Sequence, residues 1–184
     1  MIRLTAITLL ALASLPAAAQ VSIEELTAVL DGDRVHVAFR LDGAFERPVI
    51  LRELETGLPT VFSFHVDLVK KRHNWFDKVL ESTHLEFAAT FNAVTREYLL
   101  NFRRDGKLVR SESIRDLTEL KRRMTLVELQ PLLGKPSGPL RRYRVRVRAD
   151  IHTDVVFFII PRSVGADWKT CHIDAAGAVP ERED

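Results

Sequence analysis

The residues with the most chemical potential are two histidines. His65 and His84 sit on polar faces of alternating segments on either side of a short basic stretch, Arg72–Asp77. If the flanking segments pair so that Lys71 meets Lys78, His65 lies opposite His84, Phe62 opposite Phe87 and Phe64 opposite Leu85. A shift of two residues instead pairs His65 with Glu86 and Asp67 with His84. Both registers keep the outer face polar and set an imidazole beside a metal or proton partner. Two imidazoles with Asp67 or Glu86 form a donor set for zinc, or a pH-sensitive patch. The plainer reading is two solvated histidines on a polar strand face. His152 with Asp154 is a weaker pair of the same kind, near a turn.

Arginine supplies the second pattern. Arg141, Arg142, Arg144, Arg146 and Arg148 fall within eight residues, the even-numbered four on one strand face. Such a stripe suits an anionic surface, a polysaccharide acid or an acidic partner. The same residues equally suit a solvated face whose arginines pair with acids on a neighbouring strand. The third pattern is Trp75–Phe76 at a turn, collared by Lys70, Lys71, Arg72, His73 and Lys78. These rings suit docking to a membrane surface or a protein groove, or folding down to cap the end of a core. Cys171, the single cysteine, excludes an internal disulfide framework and a cysteine-based zinc site.

No Gly-x-Ser-x-Gly elbow, Gly-x-Gly-x-x-Gly turn or His-Glu-x-x-His helix occurs in the chain. The residues therefore point away from an enzyme, and no catalytic residue or cofactor is assigned. The 184 residues carry a net charge of +2 and are 46% hydrophobic. That balance excludes a disordered chain and does not suit a nucleic-acid binder.

Period-two alternation positions these side chains. It recurs over Val35–Leu41, Phe62–Val69, Tyr98–Arg103 and Arg142–Ile151 and predicts antiparallel strands with one face buried. Asp31-Gly32 and Asp105-Gly106 are hairpin signals. Two helices interrupt the strands. One spans about Arg47–Thr56, with Pro48 in its first turn and Gly57 just past its end. The other spans about Ile114–Met124, with Ser113 and Asp116 as a capping box. About nine strands and two short helices predict a mainly β, antiparallel two-sheet sandwich, with a closed β-barrel as the alternative.

Met1–Arg3 is basic, Leu4–Leu15 is apolar, and Ala17-Ala18-Ala19 follows Pro16. This is the pattern of an export signal over residues 1–19, with the mature chain beginning at Gln20. One β-rich domain is expected over 20–170 and a disordered tail over 171–184. The expected location is the periplasm or the exterior, with no transmembrane helix after cleavage.

Leu54-Glu55-Thr56-Gly57-Leu58-Pro59-Thr60-Val61-Phe62, followed by Lys70-Lys71-Arg72-His73-Asn74-Trp75-Phe76-Asp77, resembles the bacterial domain-of-unknown-function 4390 family. Tyr143–Ala149 and the Asp167-Trp168 step agree with it, as does the order of elements over about Val21–Trp168. The resemblance implies an exported protein and carries over no catalytic residue. The leading expectation is a non-catalytic interaction module of the bacterial envelope. Its partner would be an envelope protein or an anionic surface, met through Arg72, Trp75, Phe76, Arg142, Arg144, Arg146 and Arg148. The runner-up is a carrier or sensor of a small hydrophobic or anionic ligand, which a cavity between the sheets would favour. A metal-dependent hydrolase comes third.

Overall fold

Several long strands bury every second side chain, and the buried sets need a facing layer. A computed structural model describes residues 20–72, 76–153 and 164–176. The elements in chain order are β1 (Ser22–Asp31), β2 (Arg34–Asp42), α1 (Pro48–Glu55), β3 (Thr60–Lys70), β4 (Lys78–Asn92), β5 (Glu97–Arg104) and β6 (Lys107–Ile114). Then follow α2 (Leu117–Thr125), β7 (Leu126–Gly134), a 3-10 turn (Leu140–Arg142), β8 (Tyr143–Thr153), β9 (Val164–His172) and the short β10 (Asp174–Ala175).

The strands form two sheets. One has the order β10-β1-β2-β7 and the other β6-β5-β4-β3-β8-β9. All neighbours are antiparallel except β10, which runs parallel to β1. The fold is mainly β and sandwich-like. The described strands do not close into a barrel, because β6 and β7 each end their sheet without pairing to each other.

The core lies between the sheets. Phe39 of β2 meets Phe64 of β3 across the layers, with ring centroids 5.1 Å apart. Phe64 continues to Phe87 at 5.9 Å, and Phe87 stacks on Phe102 of β5 at 4.8 Å. Ile50 and Leu54 of α1 and Leu120 and Met124 of α2 are buried and join the same cluster. At one side the layers are drawn together where Lys169 of β9 meets Glu24 of β1 at 3.0 Å.

Several expectations are met and several are corrected. The hairpin between β5 and β6 turns on Asp105 and Gly106, with φ of 49° and 77°, the pair of positive values a tight two-residue turn requires. Gly57 closes α1 with φ 80°. The second helix starts later than its apolar stripe suggests. Asp116 is its cap, its carboxylate accepting from the Thr118 and Glu119 amides, whereas Ser113 bonds Glu97 and buried Ile114 ends β6. A strand residue and a helix residue can share one apolar face, so the period alone extends the helix too far. His65 does lie opposite His84, but Lys70 rather than Lys71 meets Lys78, because a bulge follows Leu68.

Arg142 belongs to the 3-10 turn before β8, so three of the even-numbered arginines, not four, share the strand face. The expected tail is corrected over 171–176. Cys171 and His172 continue β9, Ile173 is buried, and β10 joins β1. The export signal over 1–19, the ring of Trp75 and the last eight residues lie outside the described residues, as does Asp154 of the weaker histidine pair.

Phe64 is fully buried and touches rings in both sheets. Phe64→Ala should destabilise the fold by about 3–5 kcal/mol, read from the urea midpoint. A loss below about 1 kcal/mol would show that the layers do not depend on this contact.

Candidate functional site

The two sheets differ in width, and that difference makes a cavity. A six-stranded layer faces a four-stranded one, and neighbouring strands sit about 4.8 Å apart. Two strands of the wider sheet therefore outrun their cover. α2 spans the gap from β6 to β7 and fills part of it. The C-terminal half of β7 is tied to the wider sheet: Thr83 Oγ1 and an Arg104 guanidinium nitrogen each donate to the Leu132 carbonyl at 2.9 Å, and the Gly134 amide donates to Glu81 at 2.7 Å. The N-terminal half of β7 has no such ties among these bonds. There the layers part around about 370 Å³, lined by Phe87, Phe102, Val109, Leu126, Val127 and Leu129, with Arg110, Arg122, Arg123, Glu128 and Gln130.

The floor is aromatic and aliphatic, and the mouth is ionic. Arg122 forks onto Glu119, both contacts 2.9 Å, and Arg123 Nε donates to the same carboxylate at 2.6 Å. Those hydrogen bonds hold Glu119 down to about 2, so it stays ionised and keeps both guanidinium groups in place. Arg110 Nε lies 2.5 Å from Glu112. Arg110 and Arg123 each approach these carboxylates through Nε. Sequence reasoning missed this site. Arg122 and Arg123 read as ordinary complements to a helix C-terminus, and the other lining residues come from strands that are neighbours only in the folded chain.

The outer face of the wider sheet holds the predicted residues. Asp67 is nearly buried and accepts from Ser82 at 2.5 Å and from Arg146 at 2.7 Å. The Arg146 guanidinium also lies 4.2 Å from the Trp168 ring centroid, a cation–π contact that sequence spacing did not indicate. Arg148 pairs with Asp150 at 2.9 Å, and Arg144 donates to the carbonyls of Arg141 and Tyr143. Two of the ladder's arginines, Arg146 and Arg148, are thus paired with carboxylates. His65 and His84 do come together, with ring centroids 4.7 Å apart, and Asp150 is 3.6 Å from His65 Nε2. Asp67 and Glu86 face other partners, Arg146 and Arg103. Among the described residues no three metal-ligating side chains converge.

At the β3–β4 turn, Arg72 is exposed and Phe76 is 96% exposed, so the Phe76 ring does not fold down over the core. Cys171 packs against the core, and burial first, then Asp174, pushes its thiol up to about 12. It stays protonated and a poor nucleophile.

Burial is the main cause holding His65 below its ordinary value of 6.5. Neighbouring His84 and Arg148 act in the same direction, against Asp150 and Asp67. Below about 6.5 the unfolded chain takes up a proton that the native imidazole refuses, so stability is lost as pH falls through that window and regained as it rises. Urea midpoints at pH 7.5 and 5.5 should differ more for the wild type than for His65→Asn; equal differences would remove His65 as the cause. Arg146→Met should cost about 2 kcal/mol, because Asp67 keeps its burial and loses its charged donor. An unchanged midpoint would show that solvent replaces the pair.

No curated protein and no solved structure matches the chain. The model of one family, the domain of unknown function DUF4390, matches residues 18–156. That stretch contains every residue lining the cavity and stops before β9, which carries Trp168. With its two-sheet core and open edge inside the matched stretch, the chain belongs to the DUF4390 family.

Proposed function

We propose that this protein is exported and works in the bacterial envelope, periplasmic or secreted, as a non-catalytic binding module. The cleft between β6 and β7 is its ligand site, and its ligand is a small amphipathic anion. One observation carries the reading: about 370 Å³ with an apolar floor and three arginines at the mouth. This volume falls within the range of small-molecule sites, about 300–1,000 Å³. Phe87, Phe102 and Val127 suit an aliphatic chain, and Arg110 and Arg123 suit a carboxylate or sulfonate head. The lining residue types suit binding rather than bond-making, since none is a nucleophile beside a base. The basic start, apolar run and Ala17-Ala18-Ala19 support export. No helix among the described residues is long and apolar enough to cross a membrane.

A carrier or sensor is favoured over docking through the arginine ladder, because the cleft sets its arginines beside an apolar floor.

Two measurements test this reading. The fluorescence of 1-anilinonaphthalene-8-sulfonate should rise on mixing with the folded protein, and dodecanoate should displace the dye. Leu126→Trp, which fills the cleft, should abolish the signal, and Arg123→Ala should weaken dodecanoate about tenfold, the equivalent of 1.4 kcal/mol. Equal binding by the wild type and both folded variants would reject the cleft. Separately, the N-terminal residue of the exported product should be Gln20; a product retaining Met1–Ala19 would reject signal cleavage.

A further inference from the structure

We propose that β6 is a self-pairing edge, through which two copies of this chain join their six-stranded sheets about a two-fold axis at Ser111. Among the described residues β6 is hydrogen-bonded to β5 on one side only. Lys107–Ser111 are exposed, including Leu108 and Val109 at 59% each. The opposite edge of the same sheet, β9, is packed against β1. An uncovered edge strand presents unpaired N–H and C=O groups that can template pairing.

The charges select both the occupant and the register. Directly opposed residues in an antiparallel pair share a face, and residues with outward-pointing backbone groups must meet one another. A two-fold pairing of β6 with itself must therefore centre on a residue. Centred on Arg110, two arginines oppose each other; centred on Glu112, two glutamates do. Centred on Ser111, Arg110 of each copy faces Glu112 of the other. The Arg110–Glu112 contact along the strand, 2.5 Å in the single chain, is then joined by two across the interface. A bulge between Phe102 and Arg103 leaves Val109 out of the ladder, so the new pairing centres on Arg110–Glu112. The axis stands perpendicular to the sheet and keeps both cavity faces on the same side.

Sedimentation velocity at low salt, where exposed ion pairs are least screened, tests the proposal with the wild type and two charge-reversal variants. The wild type should sediment as a dimer whose population rises with concentration. Arg110→Glu places glutamate against Glu112, and Glu112→Arg places arginine against Arg110; each should weaken dimerisation about tenfold or more. Mixed together, the two variants restore both opposite-charge pairs and should form a heterodimer. Circular dichroism and the melting temperature check that each variant folds. A monomeric wild type overturns the proposal and leaves the edge to another occupant. An unaffected Arg110→Glu dimer, or a mixture that stays monomeric, overturns it as well. Because Arg110 also lines the cleft, the ligand measurements rely on Arg123 and Leu126, and the two readings fail separately.

Discussion

Everything in this molecule depends on the contact of Phe39 with Phe64 across the two sheets. Neither layer is stable alone, because each buries one face of alternating side chains and has nowhere else to put it. The aromatic run continues through Phe87 to Phe102. Its first half is sealed by the facing sheet, and its second half reaches the cleft. One hydrophobic run thus makes both the core and the floor of the candidate site. The reason is geometric: six strands cannot be covered by four, and one short helix does not fill the difference.

The polar face follows a different constraint. Charged groups on a sheet surface settle by finding partners, and here the partners are close. Arg146 lies between the carboxylate of Asp67 and the ring of Trp168. Arg148 and His65 share Asp150. In the row of arginines, Arg146 and Arg148 meet carboxylates and Arg144 meets backbone carbonyls. His65 remains, as a place where burial resists proton uptake.

Much of the fold was legible because it is written in a local period. The His65–His84 pairing follows from matching apolar faces on either side of one turn. Pro48, Gly57 and Asp105-Gly106 each mark a backbone conformation that few other residues adopt readily. The bulge after Leu68 was not legible, since it shifts the ladder without breaking the apolar pattern. Ile114 was misplaced for a related reason: a buried residue at a strand end continues the stripe of the following helix. The C-terminal strands were missed because Cys171–Ala175 alternates weakly and gains its order by pairing with β8 and β1. Of the candidate site almost nothing was legible. Its lining residues come from β4, β5, β6, α2 and β7, and each is ordinary in its own segment.

The sequence by itself determined the strands, most of the turns, the two helices and which face of each strand is apolar, because these are set by neighbours along the chain. It also determined the charges available and the single thiol. The tertiary structure alone decided which strands become edges, where the layers part and which carboxylate each arginine meets. Those outcomes depend on the relative widths of two sheets and on distances between residues far apart in the chain, and no local period encodes either.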